Sequence, residues 1–140
     1  MISTPPLVPE LDVADLEASL AVYVELFGFR VLARRPEEAF AYLDLEGAHL
    51  MLELADGPGR RFRTAPLERP YGRGVNFQIK ITDVDAVYRR VHASALTVIA
   101  PIEERWYRQD DIERGARQFV VADPDGYLLR FFSDLGARRA

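Results

Sequence analysis

The chain has 140 residues, a length typical of a single globular domain, and its shares of 49% apolar and 29% charged residues are ordinary for such a domain. The absence of cysteine excludes disulfides, thiolate chemistry and sulfur-ligated zinc. The net charge of −4 without a basic stripe argues against nucleic acid as a partner. The sequence has neither an apolar run of ~20 residues nor a signal-like N-terminus, which predicts a cytoplasmic protein without a membrane segment.

The first half of the chain shares a pattern with the second half. Residues 11–18 alternate apolar and polar side chains and then change to a helical spacing, and residues 79–86 do the same at a constant offset of 68. Such alternation predicts a half-buried strand. Asp15 and Asp83 stand where the N-cap of a helix belongs, because an aspartate carboxylate accepts from the free backbone N–H groups of a first helical turn. Each half therefore opens with a strand followed by a helix.

Apolar residues continue at helical spacing after each of these aspartates. The apolar face consists of Leu16, Leu20, Tyr23 and Phe27 in the first half, and of Val84, Tyr88, Val91 and Ala95 in the second. Gly28 directly follows the first face, and glycine is the residue type that most often ends a helix. These patterns predict one amphipathic helix in each half.

Three further strand-like runs follow each predicted helix. They are residues 29–34, 40–45 and 49–54 in the first half, and residues 97–102, 117–122 and 127–132 in the second. We therefore predict an α+β fold in which two βαβββ modules form a curved, mixed-sheet cleft. Within one domain spanning residues 1–140, module one covers residues 7–55, module two covers residues 74–134, and the Gly-, Pro- and Arg-rich residues 56–73 form a surface connection or a lid.

Three stretches of the sequence resemble a known superfamily. LDVADLEASLAVYVELFGFRVL is similar to the opening of the vicinal-oxygen-chelate superfamily, also called the glyoxalase/bleomycin-resistance/dioxygenase group. GVNFQIKITDVDAVYRRV resembles the start of its second module, and FVVADPDGYLLRFF resembles its final hairpin. The three stretches together cover most of the chain, and their order is more specific than any one alone. The resemblance implies the same two-module fold.

The resemblance also indicates where metal-dependent members hold their ligands, one on the first and one on the last strand of each module. The residues at these positions are Val8, Glu53, Asn76 and Arg130. A divalent metal needs at least three protein N or O donors, and a guanidinium group stays protonated in proteins. We therefore expect no metal and no other cofactor, and we expect an ion pair between Glu53 and Arg130 in place of the metal.

Aromatic and polar residues suggest where a ligand binds. Trp106 and Tyr107 lie between two arginines and precede a predicted polar loop over residues 109–115, so they offer a surface either for a planar ligand or for a dimer partner. Asn76 and Gln78 share one strand face. The predicted ligand-binding residues are Glu53, Asn76, Phe77, Gln78, Trp106, Tyr107 and Arg130, and no catalytic residue is predicted.

Three functional hypotheses follow. The preferred one is a metal-free homodimer that resembles the bleomycin-resistance branch and sequesters a bleomycin-type antibiotic or a related aromatic, cationic small molecule. In it Trp106, Tyr107 and Phe77 stack on the ligand and Glu53 complements its charge. The alternative is a glyoxalase-superfamily lyase, isomerase or oxygenase that uses Glu53 with or without a divalent metal, because burial can raise a carboxyl pKa toward neutrality. The third is a structural or regulatory dimer whose cleft is closed by the Glu53–Arg130 pair.

Overall fold

The structure, a computed structural model, describes residues 2–140 and contains two units, of which the first ends at Tyr71 and the second begins at Gly72. Each unit has one four-stranded mixed sheet and the element order βαβββ, which confirms the predicted repeat and the α+β class. Over residues 2–140, none of the helices has the length and apolar character needed to cross a membrane.

The first unit contains a sheet in which the first strand joins an otherwise antiparallel ladder. Its strands are β1 (Glu10–Val13), β2 (Arg30–Arg35), β3 (Phe40–Leu45) and β4 (Ala48–Leu54). Their order in the sheet is β1-β4-β3-β2, with β1 parallel to β4. Parallel strands cannot be joined by a tight hairpin, so the chain first crosses through a helix before it forms the β2-β3-β4 meander.

The helix of the first unit departs from the predicted continuous α-helix. It begins as α1 (Leu16–Ala21) and ends as a π-helical turn (Val22–Leu26), in which the N–H of Phe27 donates to the carbonyl of Val22 at 3.1 Å. The predicted apolar face is nevertheless correct, because Leu16, Leu20, Tyr23 and Phe27 are all buried. The carboxylate of Asp15 accepts from the backbone N–H of Ala18 at 3.0 Å, as expected for an N-cap.

The second unit repeats the arrangement with longer strands. Its elements are β5 (Asn76–Lys80), α2 (Val84–His92), β6 (Val98–Gln109), β7 (Ile112–Ala122) and β8 (Leu128–Arg139). The strand order is β5-β8-β7-β6, with β5 parallel to β8. The carboxylate of Asp83 accepts from Ala86 N–H at 3.0 Å, which matches the cap of the first unit. Ala95 lies beyond the end of α2, so the predicted helix is one turn too long.

The polar loop predicted for residues 109–115 is wrong. A two-residue turn at Asp110 and Asp111 joins β6 to β7, and Asp110 adopts a positive φ of 55°. The strands then continue well past their predicted ends because the charged side chains pair across the ladder. One such pair joins Arg138 Nε to Glu113 Oε1 at 2.9 Å. The polar composition that suggested a loop belongs to an exposed hairpin.

Candidate ligand site

The sheet of the second unit has one face toward α2 and one face away from it. Phe119 lies on the helix side, where its ring centroid is 5.0 Å from that of Tyr88 on α2. Residues paired across strands share a face, so Phe77, which pairs with buried Leu129, also lies on the helix side. The opposite face carries Asn76, Gln78, Lys80, Ala116, Gln118, Arg130, Phe132 and Asp134.

A cavity of about 340 Å³ lies on this second face. It is at the small end of the range of ~300–1,000 Å³ that is usual for ligand sites. Ala116 and Phe132 give it an apolar part. The polar part of its lining comes from Gln78, Lys80, Tyr107, Gln109, Arg114, Arg130 and Asp134. The arrangement of an apolar wall with a few converging polar groups is typical of a small-molecule site.

Arg130 stands at one side of the cavity, beside Gln78. Its Nη2 donates to Gln78 Oε1 at 3.2 Å, because the two residues are paired in the parallel register of β5 and β8. Its Nε is buried and has no hydrogen-bond partner within residues 2–140. A buried donor without a partner carries a desolvation cost of ~1–3 kcal/mol. A ligand acceptor that reached this N–H would remove the cost.

An ion pair occupies the other side of the cavity. Arg114 Nη2 lies 3.0 Å from Asp134 Oδ2, and both side chains are partly exposed. The pKa of Asp134 is lowered, first by the hydrogen bond from the backbone N–H of Gly136 and then by the positive charges of Arg114 and Lys80. Asp134 is therefore a carboxylate at neutral pH and neutralises part of the local positive charge.

Tyr107 is held in place by a buried amide. Gln118, only 5% exposed, donates from Nε2 to the phenolic oxygen of Tyr107 at 2.5 Å and to Glu103 Oε1 at 3.3 Å. A carboxylate only accepts, so the contact with Glu103 fixes which end of the amide is the donor. The Tyr107 oxygen is thus an acceptor toward Gln118, and its own proton is directed elsewhere. Within residues 2–140, Gln118 Oε1 has no partner.

The aromatic residues predicted to stack together lie on different faces. Trp106 and Tyr107 are neighbours in β6, and consecutive strand residues point to opposite sides. The Trp106 ring packs over Gly115 and is covered by the Arg138 guanidinium, 4.0 Å from the ring centroid. Phe77 lies on the helix face. Of the three predicted stacking residues, only Tyr107 lines the cavity, so the structure does not bring the three together there.

In the first unit, Glu53 is buried beside a second carboxyl group. Glu53 on β4 is only 3% exposed and is hydrogen-bonded to Glu10 of the adjacent strand β1. The pKa of Glu10 is raised, mainly by burial, then by the hydrogen bond to Glu53, and further by the charges of Glu53 and Asp12. A hydrogen bond between two carboxyl groups requires a proton on one of them. The Glu10 carboxyl therefore keeps its proton to higher pH than an ordinary glutamate does.

The connecting segment covers the Glu53 end of this sheet. A Cβ atom placed on Gly59 would lie 1.6 Å from Glu53 Oε1, so the backbone passes directly over the carboxyl group. Arg63 fixes the segment to the sheet, with its Nε 2.9 Å from Asp12 Oδ2 and its Nη2 2.6 Å from the carbonyl of Ala55. These contacts explain why Glu53 is buried, although glutamate side chains are usually exposed in proteins.

Both ring nitrogens of His49, which lies on the same strand as Glu53, contact neighbouring side chains. Its Nδ1 is 2.8 Å from the Tyr42 hydroxyl, and its Nε2 is 3.2 Å from Asp44 Oδ1. Asp44 also binds Arg30 at 2.9 Å, and its pKa is lowered because Arg30 and the Gly47 N–H outweigh the effect of burial. The four side chains form a structural network that leaves neither ring nitrogen of His49 available as a metal ligand.

The residues at the family's metal positions do not fit a divalent metal. Val8 precedes β1 and has no donor atom in its side chain, and the Arg130 guanidinium is bound to Gln78. Glu53 lies beside the Glu10 carboxyl, and Asn76 adds one neutral amide. No group of three or more His, Cys, Asp or Glu suited to a metal occurs between residues 2 and 140. Glu53 and Arg130, expected to form an ion pair, belong to different units, and each has a partner in its own unit.

Six polar residues of these two sites were not identified from the sequence: Glu10, Lys80, Gln109, Arg114, Gln118 and Asp134. Lys80 follows Gln78 by two residues, so strand alternation alone places it on the same face. Asp134 and Arg114 were missed because they lie in parts of β7 and β8 that were not predicted to be strands. Glu10 and Gln118 carried no local signal, since their roles depend on neighbouring strands.

Comparison with known proteins agrees with the two-module fold. The family model described as Glyoxalase/Bleomycin resistance protein/Dioxygenase superfamily matches residues 9–131. The chain therefore belongs to this superfamily. It is 26% identical over 137 residues to a bleomycin resistance protein of Geobacillus stearothermophilus, a match that covers 91% of this chain and 96% of the relative. A bleomycin resistance protein of Staphylococcus aureus strain MRSA252 matches to the same extent.

Solved structures share the fold. A crystal structure of TioX from Micromonospora sp. ML1 is similar with a TM-score of 0.73 and 24% identity, covering 94% of this chain and all of that protein. A glyoxalase/bleomycin resistance protein/dioxygenase from Nocardioides is similar with a TM-score of 0.61 and 26% identity, covering 96% of this chain and 87% of that one. These likenesses support the architecture of the chain.

Proposed function

We propose that this protein is a metal-free binding protein that holds a small aromatic molecule in the cavity of its second unit. The observation that carries the proposal is the cavity itself, with Phe132 and Ala116 as its apolar part and Tyr107, Gln78 and Arg130 among its polar groups. The donor chemistry at the family's metal positions supports binding without a metal. Affinity alone is sufficient for this function, and it requires no catalytic group.

The relatives suggest sequestration of an antibiotic as the biological role. Two curated relatives that cover nearly the whole chain are bleomycin resistance proteins. On this basis we propose a bleomycin-type antibiotic or a related aromatic molecule as the ligand and a homodimer as the functional form. Sedimentation of the purified protein tests the dimer, and a monomer at all concentrations would contradict it.

Thermal unfolding in the presence of ligands tests the binding proposal. The protein is heated with bleomycin, with benzyl alcohol, benzoate, phenyl phosphate and benzylamine as simple aromatic probes, and with Ni²⁺, Mn²⁺ and Zn²⁺. A ligand at 100 times its Kd stabilises the folded state by about 2.7 kcal/mol. Stabilisation by at least one aromatic compound, unchanged after treatment with EDTA, is the expected result. Stabilisation by metals alone would contradict the proposal.

A second candidate function is acid–base catalysis by Glu53. The burial of Glu53 beside Glu10 favours it, because the pKa of Glu10 is raised, mainly by burial, and a carboxyl group that keeps its proton to higher pH is a better general acid. Exchange of the methyl protons of pyruvate with D₂O, followed by NMR, gives a simple probe of proton abstraction. Acceleration by the wild-type protein that is lost in Glu53→Gln supports catalysis. Equal rates with and without protein contradict it for this substrate class.

A further inference from the structure

We propose that the cavity of the second unit recognises an oxyanion, a carboxylate or phosphate group, attached to the aromatic body of the ligand. This inference rests on the proposed binding function and adds the charge of the ligand. Of the two kinds of ligand proposed above, it favours the related aromatic molecule over a cationic antibiotic of the bleomycin type.

The charge of the cavity lining favours an anion. Lys80, Arg114 and Arg130 line the cavity, whereas Asp134 is its single acidic lining residue within residues 2–140. Asp134 pairs with Arg114 at 3.0 Å. With three cationic residues and one acidic residue, the lining has a net surplus of two positive charges. A ligand cation would be repelled by this surplus, and a ligand anion would be attracted to it.

The hydrogen-bond donors of the cavity lining also favour an anionic ligand. Arg130 Nε is buried and has no acceptor among the described residues, and Arg130 Nη2 is already placed by Gln78. A guanidinium group offers donors in a fork that matches the two oxygens of a carboxylate or phosphate. Gln78 thus orients the Arg130 side chain, and the Arg130 Nε–H remains available to a ligand.

Tyr107 adds a neutral donor to the same cavity. Its oxygen accepts from Gln118 Nε2 at 2.5 Å, so its proton can be donated to a ligand oxygen. Phe132 and Ala116 lie among these groups and offer an apolar surface to the rest of the ligand. The cavity therefore combines donors for an oxyanion with a contact surface for a ring.

Isothermal titration calorimetry with matched aromatic probes tests this inference. Benzoate and phenyl phosphate carry the anion, benzyl alcohol is neutral, benzylamine is a cation, and inorganic phosphate lacks the ring. We expect one or both aromatic anions to bind about tenfold or more tightly than benzyl alcohol, since hydrogen bonds to charged groups exceed neutral ones in strength. The preferred anion distinguishes a carboxylate site from a phosphate site.

Variants of the cavity lining identify the site. Arg130→Gln is expected to weaken binding of the preferred anion by about tenfold, and Arg130→Lys, which keeps the charge, to weaken it less. Arg108→Gln is the matched control, because Arg108 lies in the same hairpin, is not part of the lining and bonds to the Asp110 carbonyl instead. If Arg130→Gln does not fold, Lys80→Met carries the same test.

The outcomes separate this inference from the proposed function. If benzyl alcohol or benzylamine binds as tightly as the anions, the oxyanion inference is overturned while small-molecule binding stands. If inorganic phosphate binds like phenyl phosphate and none of the cavity variants changes the affinity, the contact is nonspecific and the inference is also overturned. If neither bleomycin nor any of the aromatic probes binds, the proposed function itself fails.

Discussion

The side-chain amide of Gln118 donates to the phenolic oxygen of Tyr107 at 2.5 Å, and this contact orients a tyrosine that lines the cavity of the second unit. The amide is fixed in turn by Glu103, which accepts from the same nitrogen. Because Gln118 is buried, the position of Tyr107 depends on the core of the sheet although Tyr107 itself is exposed. The tyrosine hydroxyl is thus preorganised before a ligand arrives.

Removal of the Tyr107 hydroxyl is expected to weaken ligand binding more than it affects folding. Tyr107→Phe loses one donor to the ligand, and the affinity for the preferred aromatic anion should fall about tenfold, equivalent to ~1.4 kcal/mol. Calorimetric titration measures the change. Tyr71→Phe, outside the cavity, is the control and should bind like the wild type. An unchanged affinity in Tyr107→Phe would show that the hydroxyl only supports Gln118.

The carboxyl pair of Glu10 and Glu53 makes stability depend on pH. The folded pKa of Glu10 lies above its ordinary value of 4.5, mainly because of burial, so the folded state binds protons more readily than the unfolded state does. Glu10 therefore contributes stability that is fully present below its unfolded pKa and is lost as the pH rises through its folded pKa.

Glu10→Gln should remove this pH dependence. An amide at position 10 can donate to the Glu53 carboxylate without a shared proton, so the variant is expected to be more stable than the wild type at pH 7 and equal to it near pH 4. Urea midpoints measured between pH 4 and 7.5 check this prediction. Glu37→Gln, a change at an exposed glutamate, is the control. Parallel pH profiles for Glu10→Gln and the wild type would contradict it.

The elements that the sequence predicts well are those fixed by local patterns. The N-caps Asp15 and Asp83 and the apolar face that begins at Leu16 depend on residues within one or two turns, and the structure confirms them. The ends of β6, β7 and β8 were predicted poorly. Their outer parts are held by cross-strand pairs such as Arg138–Glu113, whose members are 25 residues apart in the chain. Composition alone cannot distinguish such a charged hairpin from a loop.

The candidate site was only partly predictable for the same reason. Arg130 was selected from the resemblance and Gln78 because it shares a strand face with Asn76, and the parallel register of β5 and β8 brings the two side chains together at 3.2 Å. Trp106 and Tyr107 were grouped because they are adjacent in sequence. In a strand this adjacency places them on opposite faces, so strand assignment of residues 98–109 would have separated them.

Substitution of Gly59 tests the close approach of the connecting segment to Glu53. A Cβ at this position meets Glu53 Oε1 at 1.6 Å, so Gly59→Ala must displace either the carboxyl group or the segment. We expect a loss of about 1–3 kcal/mol in the free energy of unfolding, as for other overpacked sites. The loss should be smaller when Gly59→Ala is made in a Glu53→Ser background. Equal losses in the two backgrounds, measured by urea unfolding, would show that the contact is not responsible.

Trp106 provides a spectroscopic test of which face of the hairpin binds the ligand. The ring lies on the face opposite Tyr107, between Gly115 and the Arg138 guanidinium. We expect saturating phenyl phosphate or benzoate to change its fluorescence little, and Trp106→Phe to bind the preferred anion within about twofold of the wild type, because the ring lies on the sheet face opposite the lining side chains. Arg138→Gln should instead alter the emission without ligand, since it removes the cation above the ring. A large ligand-induced change in Trp106 emission, together with weaker binding by Trp106→Phe, would place the ligand on the Trp106 face and contradict the assignment to the cavity.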